Sequence, residues 1–163
     1  MKRLKPMTHD IRKKISEYNR SKLDISALIN NVDIQNEDLS YSYISNLDVS
    51  EGNISGCNFS CSTIKINARN AKAIGCRFVR CKLLEGSSLR GCDLRRSNFY
   101  EADCGFIDYA YSDLRGANLY GAKLSFATRL GYKAKVSENV IECIKKWWDI
   151  CPGEPMIIER ADI

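Results

Sequence analysis

Side chains able to do covalent or proton-transfer chemistry are thinly spread in this chain of 163 residues. It has eight cysteines but one histidine, His9. A serine or cysteine nucleophile needs an adjacent base, so the one candidate base would have to reach from the N-terminal end. Zinc would need clustered Cys and His, commonly with a C-x-x-C pair. The closest cysteines are Cys57 and Cys61 in C-N-F-S-C, and no C-x-x-C occurs. Glycines stand singly, as in G-C-N-F and G-A-N-L, and form no phosphate-binding loop. Asp33, Asp38, Asp48, Asp93, Asp103, Asp108 and Asp113 each stand one residue before a core candidate, mostly apolar. That regularity reads as structural. The expectation is a non-enzyme with no catalytic residue, no cofactor and no metal.

The elements that would position any functional group come from a repeat. From about residue 32 to residue 124 the chain reads V-D-I (32–34), S-Y-I (42–44), G-N-I (52–54), C-N-F (57–59), C-R-F (76–78), C-K-L (81–83), C-D-L (92–94), S-N-F (97–99), S-D-L (112–114), A-N-L (117–119) and A-K-L (122–124). We refer to the last residue of each triplet as its centre. A helix needs apolar spacings of three and four and a strand needs alternation, whereas a step of five fits neither and marks a solenoid.

These triplets resemble the A-(D/N)-L-x-x signature of the pentapeptide-repeat family. The resemblance implies an all-β solenoid: a right-handed, quadrilateral parallel β-helix of about five turns, one unit to a side. It also implies that the aspartates before the centres are solvated or turn-bonding.

The register follows from charge. A constant step of five would turn Lys72, Arg77 and Lys82 into the core, and each unpaired burial costs several kcal/mol. Shortening one step (Ile64 to Ala68) and lengthening another (Leu83 to Leu89) sends Ile66, Ala71, Cys76 and Cys81 inward instead. The corrected register stacks Leu39, Phe59, Phe78, Phe99 and Leu119 on one side, about 4.8 Å apart if the turns pair in parallel. On another side, large and small residues exchange places at Ile66 and Ala68, as a filled core requires. Cys57, Cys76, Cys81 and Cys92 take small inward slots and Cys104 a centre, so they read as buried thiols, with Cys57 stacked on Cys76.

The ends break the repeat. Residues 1–31 are expected to form a helical N-terminal cap and lead-in. Thr8 would cap a helix over residues 8–19, with Ile11, Ile15 and Tyr18 on its inner face. Leu23, Ile25, Leu28 and Ile29 suggest an irregular lead-in turn. Residues 32–128 form the repeat domain. Residues 129–163 hold a helix that starts at Ser137 and Glu138 and stops at Pro152-Gly153, followed by a tail. That helix either caps the last turn or dimerises through Ile144, Trp147 and Trp148. Some family members dimerise through a helix after the repeats, and the placement here is similar.

Hydrophobic residues make up 44%, no apolar run approaches the roughly 18 residues of a membrane span, and the basic N-terminus lacks a following apolar region. A cytoplasmic protein with no membrane contact is expected. Net charge is +5, unevenly placed. Residues 23–64 hold six acids and no Lys or Arg, whereas 65–96 hold a positive belt of Lys65, Arg69, Lys72, Arg77, Arg80, Lys82, Arg90, Arg95 and Arg96. Projected on four sides, the belt falls on all of them, and direct nucleic-acid binding, which favours one basic face with interleaved aromatics, is not expected.

The leading expectation is a scaffold that binds another protein, an anionic one if the belt is used. The alternative comes from the resemblance. Quinolone-resistance and topoisomerase-poison immunity members bind DNA gyrase, a type II topoisomerase, by mimicking duplex DNA, and the units G-C-N-F and G-C-D-L look like theirs. A basic middle departs from that pattern.

Overall fold

The triplets become rungs that pair with their counterparts one turn later. The computed structural model describes residues 4–30, 32–105, 107–124, 132–148 and 157–160. Its backbone pairings through the repeat are all parallel and, Lys5–Val32 apart, run along four ladders. They run Asn53–Lys72–Asp93–Asp113, Asp38–Asn58–Arg77–Asn98–Asn118, Asp24–Tyr43–Thr63–Lys82–Asp103–Lys123 and Asp48–Asn67–Ser88–Asp108. We number them one to four. Every member precedes a centre, as the corrected register requires. Three rungs are long enough to be strands, β1 (Tyr43–Asp48), β2 (Thr63–Asn67) and β3 (Lys82–Leu83), in one sheet of that order.

Corners repeat one turn geometry. The residue three beyond a centre donates its N–H back to the centre's carbonyl, as Cys57 does to Ile54 (3.1 Å) and Ala117 to Leu114 (2.9 Å). The second of the two residues between them takes a left-handed conformation, φ +75° at Gly56 and +70° at Gly116, as in type II turns. Gly56 meets a second demand. A Cβ there would lie 2.1 Å from Oδ1 of Asn36 on the turn below. The Asp/Asn preference before the centre also has a cause: the side chain accepts the N–H two residues on, as Asn53 does from Ser55 (3.0 Å) and Asp108 from Ala110 (2.9 Å). That local bond holds the chain at the turn.

Inside, the expected column forms. Leu39, Phe59, Phe78 and Phe99 are fully buried and Leu119 nearly so. The Phe59 and Phe78 rings stack at 5.3 Å and 13°. Ile66, Ala71, Cys76 and Cys81 point inward, and Lys72, Arg77 and Lys82 are exposed. Ile66 and Ala68 are both fully buried, in the exchanged order. The inward slot two before a centre favours Ser and Cys as well as Ala because a small donor there reaches a carbonyl on the turn below. Ser62 Oγ donates to Leu39 (2.8 Å), Ser97 Oγ to Ala73 (2.7 Å) and Cys57 Sγ to Ile34 (2.6 Å).

Both register changes occur at one corner, between ladders three and four. β2 crosses it without a turn, and its pairing with β1 slips between Ile44 and Leu47. One turn later the extra residue is absorbed by a turn in which Ser87 donates to Leu84 (3.1 Å) and Gly86 has φ +81°.

At the start, α1 (His9–Arg20) has Thr8 as N-cap, accepting from the Ile11 N–H at 3.3 Å. Ile15 is buried in the core cluster, with Ile11 and Tyr18 packed against it. Arg12 forms a two-bond pair with Glu37 (2.9 and 2.5 Å), and Asn19 donates to Ser40 (3.1 Å). The lead-in joins ladder three through Asp24, and Ile25 is fully buried, as Ile29 nearly is. Leu23 is instead exposed. A four-residue helix, α2 (Ser26–Ile29), completes it.

After the repeat, β4 (Tyr132–Val136), α3 (Glu138–Trp148) and β5 (Ile157–Arg160) follow, with β4 and β5 paired in parallel. Val136 and Val140 are buried. Ser137 Oγ accepts from the Gly116 N–H (2.9 Å), and Asn139 donates to the Ala117 carbonyl (2.8 Å), tying the start of α3 to the repeat. Sequence patterning did not reveal the β4–β5 pair. The expected stop at Pro152-Gly153 lies outside the described residues.

Candidate interaction surface

Ladder positions point outward, so the belt is set by the register. Lys72, Arg77 and Lys82 occupy ladders one, two and three within a single turn, and Lys65 and Arg69 precede them on the same coil. All nine belt residues reach the surface; eight are exposed and Arg90 is half-buried. They are not equivalent. Arg80 pairs with Glu101 (2.7 Å), Arg90 with Asp108 (3.4 Å), and Arg95 with Asp93 (2.6 Å) and more loosely with Asp113 (3.9 Å). Arg90 also lies 4.5 Å over the Tyr111 ring. The hydrogen bond from Arg95 holds the Asp93 carboxyl below its usual range. Exposed pairs like these add little to stability, so their main effect is to fix side-chain direction. Lys65, Arg69, Lys72, Arg77, Lys82 and Arg96 have no ion pair among the described residues. These six form the open part of the belt.

The acidic stretch is more committed. Glu37 is held by Arg12. Asp33 and Asp48 accept from the backbone of Gln35 and Ser50. Asp24 accepts from the N–H and hydroxyl of Ser26 (2.9 and 2.6 Å), the Ser45 N–H (3.2 Å) and the Ser45 hydroxyl. Burial works to raise the Asp24 carboxyl, and the donors of Ser26 and Ser45 outweigh it, holding it at about 2.

Charge counting missed the aromatics. Tyr41, Tyr43, Tyr100 and Tyr120 all lie at the corner between ladders two and three, where the chain also places Ser60, Cys61 and Thr63, then Val79, Arg80 and Lys82. Tyr41 is 72% exposed and Tyr120 64%. The Tyr100 and Tyr120 rings stack at 5.9 Å and 9°. Tyr100, Glu101 and Arg80 are hydrogen-bonded in a row. Reading the residues one and two beyond each centre, rather than the centres alone, would have found Tyr41, Tyr100 and Tyr120 at this corner.

The thiols split by exposure. Burial pushes Cys57, Cys92 and Cys104 up to about 12 and Cys76 and Cys81 further still, whereas Cys61 is exposed. Tyr109 is fully buried, beside Cys104 and edge-on to Phe99 (5.8 Å, 86°). Among the described residues no three His, Cys, Asp or Glu side chains gather as a metal site, and no helix is long and apolar enough to cross a membrane. α3 carries Ile144, Trp147 and Trp148, whose side chains lie outside the described residues.

A family model described as pentapeptide repeats (8 copies) matches residues 84–108 and 97–128. No curated protein matches the chain. Among solved structures it is similar to HetL, a pentapeptide repeat protein involved in heterocyst differentiation regulation from Nostoc sp. strain PCC 7120. The identity is 17%, with 64% of this chain and 53% of that one covered and a TM-score of 0.52. It is also similar to the pentapeptide repeat protein Rfr23 from the cyanobacterium Cyanothece 51142 (22% identity, 56% and 61% covered, TM-score 0.43). A third likeness is to QnrB1, a plasmid-mediated fluoroquinolone resistance protein (18%, 64% and 65%, 0.24). The chain thus spans between half and two thirds of the length of these proteins.

Proposed function

We propose that the chain is a pentapeptide-repeat protein that forms that family's right-handed, four-sided β-helix of about five turns and serves as a non-catalytic scaffold for another protein in the cytoplasm; the match of the family model over residues 84–128 supports this reading. In this reading residues 1–31 and 129–163 close the two ends of a coil over 32–128. The supporting observation is the open part of the belt. Six cations stand without ion pairs among the described residues, and three of them, Lys72, Arg77 and Lys82, sit on backbone-paired ladders, so their charges are free to meet a partner from set backbone positions. An anionic protein surface is the complement.

Affinity capture from the source cell tests this. Wild-type protein should retain one stoichiometric partner, and a variant with Lys72, Arg77 and Lys82 changed to Glu should lose it. Failure of the wild type to retain any partner would overturn the reading. A homodimer through Ile144, Trp147 and Trp148 belongs to the same proposal, and Trp148→Ala should then lower the sedimentation coefficient.

The gyrase-binding alternative has one observation in its favour: the first turns carry six acids and no Lys or Arg over residues 23–64. Restoration of gyrase supercoiling in the presence of a fluoroquinolone would decide for it.

A further inference from the structure

We infer that the corner between ladders two and three is a docking strip for an extended acidic peptide segment of the partner, with tyrosines at its two ends and cations at its middle. The inference rests on the scaffold reading and names the site within it.

Each rung contributes three outward residues to this corner. The first rung offers Tyr41 and Tyr43, and the last offers Tyr120, with Tyr100 stacked beneath it, beside the exposed Lys123. Between them the second rung is small and uncharged, Ser60, Cys61 and Thr63, so the strip dips there. The third rung holds Val79, Arg80 and Lys82, with Arg77 just before it on ladder two. Glu101 on the fourth is already taken by Arg80 and Tyr100, leaving Arg77 and Lys82 without ion pairs among the described residues. The other corners are different. Only Tyr111 stands on the opposite one, under Arg90, and the remaining two carry no tyrosine among the described residues.

This composition favours a peptide. Tyr and Arg are the side chains enriched at the energetic centres of protein interfaces, and the stacked Tyr100 and Tyr120 rings lose little freedom on binding. First and last rungs are four strand spacings apart, about 19 Å, which about six extended residues span. A segment with apolar side chains at each end and carboxylates between them would set the apolar groups on the tyrosines and the carboxylates at Arg77 and Lys82. Single-stranded nucleic acid would stack on aromatics in succession along a continuous cationic groove. Here the rings sit at the two ends, and Glu101 and Asp103 interrupt the positive charge.

Fluorescence anisotropy tests the strip with three labelled probes: a decapeptide with two leucines six residues apart and glutamates between them, its lysine-for-glutamate counterpart, and a ten-nucleotide oligothymidylate. The glutamate peptide should bind and the other two should bind at least tenfold more weakly. Its affinity should fall about tenfold or more in Lys82→Glu and in the Tyr41→Ala, Tyr120→Ala double variant, and stay within about twofold in Tyr111→Ala. Circular dichroism would check that each variant is folded. Tighter binding of oligothymidylate, no binding of the glutamate peptide, or an affinity indifferent to the corner variants would overturn the inference. Affinity capture separates the two levels. A partner held equally by wild type and the double tyrosine variant removes the strip and leaves the scaffold, whereas a wild type that holds nothing removes the scaffold.

Discussion

The rings of Phe78 and Phe99 lie 4.8 Å apart and 7° from parallel, a separation equal to that of neighbouring strands. The stack is therefore imposed by the backbone: Arg77 and Asn98, the residues just before these rings, are paired in ladder two. Phe78 sits between two rings and is fully buried. Phe78→Ala should cost about 3–5 kcal/mol in urea unfolding, and Phe78→Leu, which keeps most of the volume, clearly less.

Inside and outside alternate sharply at residues 71 and 72. Ala71 is buried and Lys72 exposed. Ala71→Lys places an unpaired ammonium in the core and should leave the protein unfolded or destabilised by several kcal/mol. Lys72→Ala should change stability by no more than about 0.5 kcal/mol. Thermal melts of the two variants check the contrast, and the opposite ranking would mean that the register is wrong.

What was legible in the sequence was whatever the core dictates. Buried charge is costly enough that Lys72, Arg77 and Lys82 fixed the register without any structure, and the Phe59, Phe78 and Phe99 column followed from it. Surface features were legible only in part. Counting charge located the belt but could not show that Arg80 and Arg90 are paired and Arg77 and Lys82 are not, since that depends on side-chain reach between turns about 20 residues apart along the chain. The tyrosine corner escaped because its members are separated by up to 79 positions, from Tyr41 to Tyr120, and meet only when the coil is wound. The β4–β5 pair escaped because it breaks the period of five.

Thiol reactivity should follow burial. In a variant with Cys143 and Cys151 changed to Ser, a disulfide-exchange reagent at pH 8 should titrate one fast thiol, Cys61, in the native state. The five thiols whose ionisation burial suppresses, Cys57, Cys76, Cys81, Cys92 and Cys104, should respond only in denaturant. Fast reaction of a second thiol in the native protein would contradict this packing.

Acid should loosen the lead-in turn. The Asp24 carboxyl is held at about 2 in the folded chain against about 3.9 when unfolded. A lowered value makes its contribution complete above the unfolded value, and it is lost as pH falls towards 2. After discounting for solvent screening, Asp24→Asn should cost about 1 kcal/mol at pH 7. The difference from wild type should close progressively between about pH 5 and pH 2. A gap constant across that range would show that the carboxylate's charge plays no part.

Ring-to-ring nuclear Overhauser effects in protein labelled only at phenylalanine test the coil most directly. The register predicts cross-peaks from Phe78 to both Phe59 and Phe99, and none between Phe59 and Phe99, which lie two turns apart. A Phe78 ring showing contact with neither neighbour would contradict the winding from which every surface assignment follows.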